Sequence, residues 1–238
     1  MNRKLAGILL STLGLLFALP SYAATLQVYP VNVGFCARET AQAIYVKNVG
    51  SAAIGAQIRV YAWHQQNNKD TLSDTEDLLV SPPMTTIPAA REQLIRIILP
   101  VPLGGDTELA YRLVVDELPS SSNMAEKDGV RFLLRYSIPV FVNCKEQQPD
   151  LNNVTFSIDH LAHPVKLKVR NNGTQHLKLS DITLHVGAQS VPMSKGLLGY
   201  VLPQSEKEWP LPKGMTTASS LSLNLNDNEK IQTINITP

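Results

Sequence analysis

Within the stretch 129–144, residues 130–143 are predicted to form a single β-strand of unusual length. They are mainly β-branched, aromatic or leucine, a composition typical of strands. Both alternating faces carry apolar side chains, and Arg131 and Arg135 interrupt one face. Pro139 lacks the N–H of a sheet hydrogen bond, which favours an edge strand or a bulge. A long apolar edge strand is a liability unless a partner pairs with it, so this stretch constrains both the fold and the function.

The first 23 residues have the parts of a secretory signal peptide. The basic residues Arg3 and Lys4 precede an apolar run over residues 5–19, and small residues lead to Ala23. This run is too short for a membrane anchor. We therefore expect cleavage after Ala23, export of the mature chain and no later segment that integrates into a membrane.

The rest of the sequence predicts an all-β fold. Short strands recur about every ten residues with polar turns between them, a pattern typical of immunoglobulin-type sandwiches. We expect an N-terminal domain over residues 24–145 and a C-terminal domain over residues 146–238, with a loop over residues 65–77. Residues 26–33 predict an edge strand interrupted by a switch at Pro30. Segments 44–50 and 167–173 share apolar, basic, Asn and Gly positions, which indicates either an internal repeat or convergent turn chemistry.

The chain contains two cysteines, Cys36 and Cys144. In an exported protein a disulfide is the first interpretation and two buried thiols are the alternative. A disulfide would require the end of the first mature strand to lie beside the end of the long strand.

Catalytic and metal-binding patterns are weak throughout. His160 and His163 have a spacing that could share a metal, but they precede Pro164 and have no cysteine nearby, so we interpret them as a loop. Asp116 and Glu117 are adjacent and would point to opposite faces of a strand, which does not suit paired acid–base work. We therefore predict a protein that is not an enzyme, with no metal and no cofactor.

Charge also limits the partners. The 21 Lys and Arg residues nearly balance the 20 Asp and Glu residues, which argues against bulk binding of nucleic acid or anionic membrane. Any role for arginine must then be local. Arg96, Arg112 and Arg135 each lie between apolar strand residues, so they either face solvent or converge on a cleft that binds a carboxylate, which a guanidinium can grip with two hydrogen bonds.

A series of short segments in the first domain has a recognisable order. The segments are LQVYPV (26–31), VKNVG (46–50), QIRVYAW (57–63), SPP (81–83), QLIR (93–96), YRL (111–113), DELP (116–119) and RYSIPV (135–140). In these segments the domain resembles the periplasmic pilus chaperones of the chaperone–usher pathway, of which PapD is the type, and most of all the archaic branch that serves spore-coat-U-type subunits. The resemblance implies two immunoglobulin-like domains in a boomerang arrangement. It also implies a one-to-one complex with pilin subunits, delivery to an outer-membrane usher, and no catalytic residue.

Such chaperones lend a strand to a subunit that lacks its own last strand. Carried over by position, the donor strand spans residues 130–142, with Val130, Phe132 and Leu134 as donated side chains and Leu133 as the alternative if a bulge shifts the register. The resemblance places Arg112 and Arg135 as the anchor of the subunit's C-terminal carboxylate, with Arg96 as a third candidate. The first strand has no basic residue, unlike the better-known branch.

A different class of function is an exported adhesion or carbohydrate-binding module. It would use exposed aromatic side chains such as Tyr61 and Trp63 in place of a strand. Recovery of a one-to-one complex with a pilin would separate the two hypotheses.

Overall fold

A computed structural model describes residues 26–36, 39–119, 132–145 and 147–237. The predicted signal peptide lies outside the described residues, as do Val130 and Arg131. Apart from a 3₁₀ turn at Leu151–Asn153, all elements of the described residues are β-strands, so the prediction of an all-β fold is confirmed. No helix among those residues has the length and hydropathy to cross a membrane.

The first domain is a sandwich of two sheets. Its strands are β1 (Leu26–Tyr29), β2 (Val33–Cys36), β3 (Ala41–Asn48), β4 (Ile54–Gln66), β5 (Lys69–Asp74), β6 (Leu79–Ser81), β7 (Met84–Ile87), β8 (Glu92–Ile98), β9 (Leu109–Leu118) and β10 (Arg135–Cys144). The smaller sheet has the order β1-β3-β8-β6, and the larger has the order β2-β10-β9-β4-β5 with β7 also on β4. The predicted switch at Pro30 is confirmed, because β1 and β2 belong to different sheets.

The second domain is a smaller sandwich. Its strands are β11 (Val154–Asp159), β12 (Lys166–Asn171), β13 (Leu177–Val186), β14 (Gln189–Pro192), β15 (Leu197–Val201), β16 (Ser205–Pro210), β17 (Ser220–Leu225) and β18 (Gln232–Asn235). One sheet has the order β11-β12-β16, and the other has the order β14-β13-β17-β18 with β15 on β13. Each domain has its own apolar core. The boundary at residues 145 and 146 stays a prediction.

The loop predicted for residues 65–77 is wrong over most of its length. Strand β4 continues to Gln66, and β5 returns antiparallel to it. Asn67 and Asn68 both have positive φ, 51° and 61°, which suits a two-residue hairpin turn. The segment is polar because this hairpin extends past the first-domain core.

The similarity of segments 44–50 and 167–173 reflects one turn built twice. Asn48 and Asn171 are both buried, at 0% and 1% exposure. Each side chain accepts a hydrogen bond at 2.9 Å from the N–H of the glycine two residues later and donates to two backbone carbonyls. The side-chain amide therefore closes the turn in both domains.

Candidate functional site

Strand β10 is paired on both sides over only part of its length. Along one side it is antiparallel to β9 from Arg135 to Val142. On its other side β2 runs parallel to it, with Val140 as the first paired residue. Among the described residues, nothing pairs with that side of β10 from Arg135 to Pro139. The prediction of an edge strand thus holds for the first half of β10, and Pro139 lies at the end of that half.

The two faces of β10 have different surroundings. Ile138, Val140 and Val142 belong to the first-domain core, and Leu134 packs against the same core. Phe132, which shares this parity but lies beyond the strand, is 81% exposed, and Leu133 is 46% exposed. An exposed Phe side chain next to an unpaired strand edge is the kind of surface that marks an interaction site.

Arg135 lies on the outer face of the larger sheet, the face that points away from the first-domain core. Its guanidinium binds the carboxylate of Asp116 on β9, which Arg59 on β4 also contacts at 2.6 Å. Partial burial would raise the pKa of Asp116, but the hydrogen bonds from the two arginines outweigh it and lower that pKa. Arg135 therefore shares one carboxylate of its own domain with Arg59.

Arg112 occupies the same outer face, deeper toward the second domain. Its guanidinium carbon lies 3.6 Å from the ring centroid of Trp63 and 5.4 Å from that of Tyr200, which belongs to β15. It forms no ion pair with any residue that the structure describes. Burial lowers the pKa of Arg112, and the charges of Tyr200 and Asp70 oppose this effect in part. Arg112 is thus a half-buried cation that stacks on the ring of Trp63, with the ring of Tyr200 beside it.

The three candidate arginines do not converge on one point. Pro139 pairs with Arg112 and Arg135 pairs with Asp116, so the two arginines are four residues apart along the sheet, or about 13 Å. Arg96 lies on β8 of the smaller sheet. Its neighbours Ile95 and Ile97 face the core, so the Arg96 side chain points outward, on the side of the sandwich opposite to Arg112. Arg112 alone lies in the cleft between the domains.

The cleft is closed at its base by a cluster that joins the two domains. Its buried members are Trp63, Ala110, Phe141 and Leu202, with Tyr200 packed against them. Beside it the rings of Phe141 and His176 stack with centroids 3.6 Å apart. Trp63 is 3% exposed, so the hypothesis of an exposed aromatic platform is wrong for this side chain.

A buried carboxylate also links the domains at this cluster. Glu108, 4% exposed, accepts a hydrogen bond from the backbone N–H of His176 at 3.0 Å, and Nδ1 of the same residue lies 2.6 Å away. The backbone N–H of Glu108 donates to the carbonyl of Thr174 at 2.8 Å. No local sequence pattern predicts this link, because Glu108 and His176 are 68 residues apart.

The predicted disulfide is confirmed. Cys36 at the end of β2 is bonded to Cys144 at the end of β10, with Cα atoms 4.7 Å apart. Gly34 lies against the bond, since a Cβ at this position would be 2.9 Å from the sulfur of Cys144. The bond fastens β2 to the second half of β10.

His160 and His163 lie in bends between β11 and β12, as the loop interpretation predicts. No group of three or more His, Cys, Asp or Glu side chains among the described residues is arranged to hold a metal ion.

Together these features define a class: a two-domain β-sandwich protein with a half-open edge strand that leads into a cleft containing an arginine. The chain belongs to the pilus-assembly chaperones. The family described as pili and flagellar-assembly chaperone, PapD N-terminal domain, matches residues 25–147, slightly more than half of the chain.

Solved structures are similar to the chain over both domains. The fold is similar to a chain of the CsuC–CsuE chaperone–tip adhesion subunit pre-assembly complex from the archaic chaperone-usher Csu pili of Acinetobacter baumannii, with 29% identity, a TM-score of 0.69, and coverage of 90% of this chain and 99% of that chain. The Salmonella enterica SafA pilin in complex with the SafB chaperone matches at 16% identity and TM-score 0.65, covering 91% and 98%. The E. coli chaperone DraB matches at 19% identity with a TM-score of 0.62, and the match covers 89% of this chain and 96% of that chain. A comparison with curated protein sequences finds no match.

These similarities confirm two predictions. The chain resembles chaperones of the archaic branch, and its fold is that of two immunoglobulin-like domains in a boomerang arrangement.

Proposed function

We propose that this protein is a periplasmic chaperone that binds and caps pilin subunits through the open half of β10 and delivers them to an outer-membrane usher. The CsuC–CsuE and SafA–SafB complexes are assemblies of a chaperone with a subunit, which supports pilins as partners of this chain. Binding requires main-chain pairing along the edge and side chains placed in a groove. It requires no catalytic step and no cofactor.

The observation that carries this proposal is where the open edge ends. A subunit strand that pairs with β10 from Arg135 and runs parallel to it must stop where β2 begins to pair, at Val140. The last open position is Pro139, which is opposite Arg112 on β9. The C-terminal carboxylate of such a strand would therefore lie across β10 from Arg112, with about 10 Å between the two main chains, so the long Arg112 side chain would have to reach over β10 to meet it. A guanidinium that forms no ion pair with the described part of the chain is suited to receive it.

Arg112 is accordingly our first choice for the carboxylate anchor. Arg135 and Arg96 are the other two candidates for the anchor. Arg135 already forms an ion pair with Asp116, and Arg96 lies on the other sheet. We assign Arg135 a different role, which is to hold the start of β10 against β9 and β4 through Asp116.

The donated side chains follow the parity of Phe132. Strand β10 turns Val142, Val140 and Ile138 toward the chaperone's own core, and Leu134 continues that row to the end of the sandwich. Beyond this end the same row reaches Phe132, which is exposed, and then Val130, which is outside the described residues. These alternate side chains would thus pack first in the chaperone's own core and, beyond its end, in the groove of the subunit. Leu133, on the other face, remains the alternative donor.

Replacing Arg112 with methionine should weaken subunit capture by about 10- to 100-fold, because a hydrogen bond to a charged group contributes about 1.5–3 kcal/mol. The measurement is the dissociation constant of the one-to-one complex obtained by co-expressing the chaperone with candidate pilin subunits. Arg96→Met is the matched control, since it removes the same charge from the opposite sheet, and capture should not change.

Equal capture by the Arg112→Met variant and the wild-type protein would exclude Arg112 as the anchor. A greater loss with Arg135→Met than with Arg112→Met would instead transfer the anchor to the start of β10.

A further inference from the structure

Arg112 is held by side chains from both domains. Trp63 on β4 supplies one ring and Tyr200 on β15 supplies the other. Because a guanidinium over an aromatic face is attracted to it, the position of the Arg112 cation depends on where these two rings are fixed.

One carboxylate, that of Asp70 on β5, contacts the ring of Trp63 directly and the backbone of Tyr200 through Gln65. Its Oδ1 accepts a hydrogen bond from the indole N–H of Trp63 at 3.1 Å and another from the amide of Gln65 at 2.8 Å. The same amide of Gln65 donates to the carbonyl of Tyr200 at 3.0 Å, and its Oε1 accepts from the N–H of Leu202 at 2.8 Å. Asp70 is thus in direct contact with one ring and, through Gln65, one step from the strand that carries the other.

The second oxygen of Asp70 reaches the second domain directly. Its Oδ2 lies 3.2 Å from Nζ of Lys207 on β16, whose side chain is 13% exposed. Nζ of Lys207 also donates to the carbonyl of Asn68 at 3.0 Å, and the Asn68 side chain accepts from the N–H of Glu208 at 2.8 Å. The tip of the β4–β5 hairpin is therefore fastened to β16.

We propose that Asp70 is a positioning residue for the carboxylate anchor: by holding Trp63 and Gln65 and by binding Lys207, it makes the placement of Arg112 depend on the arrangement of the two domains. Capture of a subunit carboxylate and docking of the hairpin on the second domain then stabilise each other. This proposal rests on the proposed function of Arg112.

A purely electrostatic role for Asp70 predicts the opposite sign. Its negative charge acts on Arg112, so removing that charge alone would strengthen the attraction of Arg112 for an incoming carboxylate. Positioning predicts that removal of Asp70 weakens binding. The direction of the change therefore separates the two roles.

The test compares a soluble six-residue peptide of alternating threonine and valine in two forms, one with a free C-terminal carboxylate and one with a C-terminal amide. For Asp70→Ala we expect binding of the carboxylate form to weaken about tenfold, the scale of one or two lost hydrogen bonds, and binding of the amide form to stay unchanged. Asp70→Asn keeps an oxygen acceptor for Trp63 and Gln65, so it should restore most of the affinity. Asp74→Ala, a charge removal further along β5, is the matched control and should bind as the wild type does.

The two tryptophans of the chain, Trp63 and Trp209, offer a direct readout by NMR. The indole N–H resonance of Trp63 should shift in Asp70→Ala and that of Trp209 should not. In an Arg112→Met background, Asp70→Ala should cause no further loss of carboxylate binding.

Stronger or unchanged binding of the carboxylate form by Asp70→Ala would overturn the positioning role, as would an equal loss for both peptide forms. If Arg112→Met itself leaves the preference for the carboxylate form intact, the anchor assignment fails instead. The two failures are thus distinguishable.

Discussion

Replacing Phe132 with aspartate should abolish capture of a pilin subunit and leave the chaperone folded. The Phe132 side chain is 81% exposed, so the substitution should change the free energy of unfolding by no more than about 0.5 kcal/mol. In the complex the same position would lie in an apolar groove. Losing a buried phenylalanine forfeits about 1.5–3 kcal/mol, and the unpaired carboxylate adds a desolvation penalty. We expect a loss of affinity greater than about 100-fold.

The measurement is recovery of the one-to-one complex after co-expression, together with urea unfolding of the free variant. Leu133→Asp is the matched control, because it places the same charge one residue away on the other face. If Leu133→Asp removes the complex and Phe132→Asp does not, the donated row has the parity of Leu133. Normal recovery with both variants would reject the donor assignment.

The stretch that becomes β10 is the part of the sequence that predicts most about the fold and the site. Pro139 within a long apolar strand favours an edge or a bulge, and the structure has an edge from Arg135 to Pro139 among its described residues. The disulfide followed from cysteine number and export alone. These features are local or depend on few residues, which is why a single sequence shows them.

The cleft could not be predicted in the same way. The sequence offers Trp63 as an exposed aromatic, yet the second domain covers it, and only the fold brings Tyr200 beside Arg112. The β5 hairpin was missed because its residues are polar, and their partners Lys207 and Glu208 are more than 130 residues away. Polar side chains of the β5 hairpin bind residues of the second domain, so the strand has no alternation of apolar and polar residues. Its sequence therefore looks like that of a loop.

The three arginines show the same limit. Each lies among apolar strand residues, and the sequence cannot tell which sheet face or which neighbour each one meets. The register separates them: Arg135 is paired with Asp116, Arg96 is on the other sheet, and Arg112 is in the cleft.

Removing the disulfide should be the most destabilising of the changes considered. The bond links residues 108 positions apart, and a cross-link over such a distance restricts the unfolded chain strongly, for a contribution of about 2–5 kcal/mol. We expect the Cys36→Ser, Cys144→Ser double variant to lose this amount, seen as a lower urea midpoint with a larger slope, because the unfolded chain exposes more surface without the cross-link. The wild-type protein in reductant should move toward the same midpoint, whereas the double variant should not respond. An unchanged midpoint in the double variant would contradict this prediction.

The effect should reach function as well, because the disulfide fastens the strand that ends the open edge of β10. It fastens β2 to β10 at Cys144, and β2 begins to pair at Val140, one residue beyond the position opposite Arg112. Without the bond, β2 can separate from β10, and a subunit strand would no longer be stopped beside Arg112. The double variant should therefore lose much of its preference for a carboxylate-ended peptide over an amide-ended one, even under conditions in which it is fully folded. Retention of the full preference would mean that the sheet pairing of β2 is sufficient to hold the end of the edge.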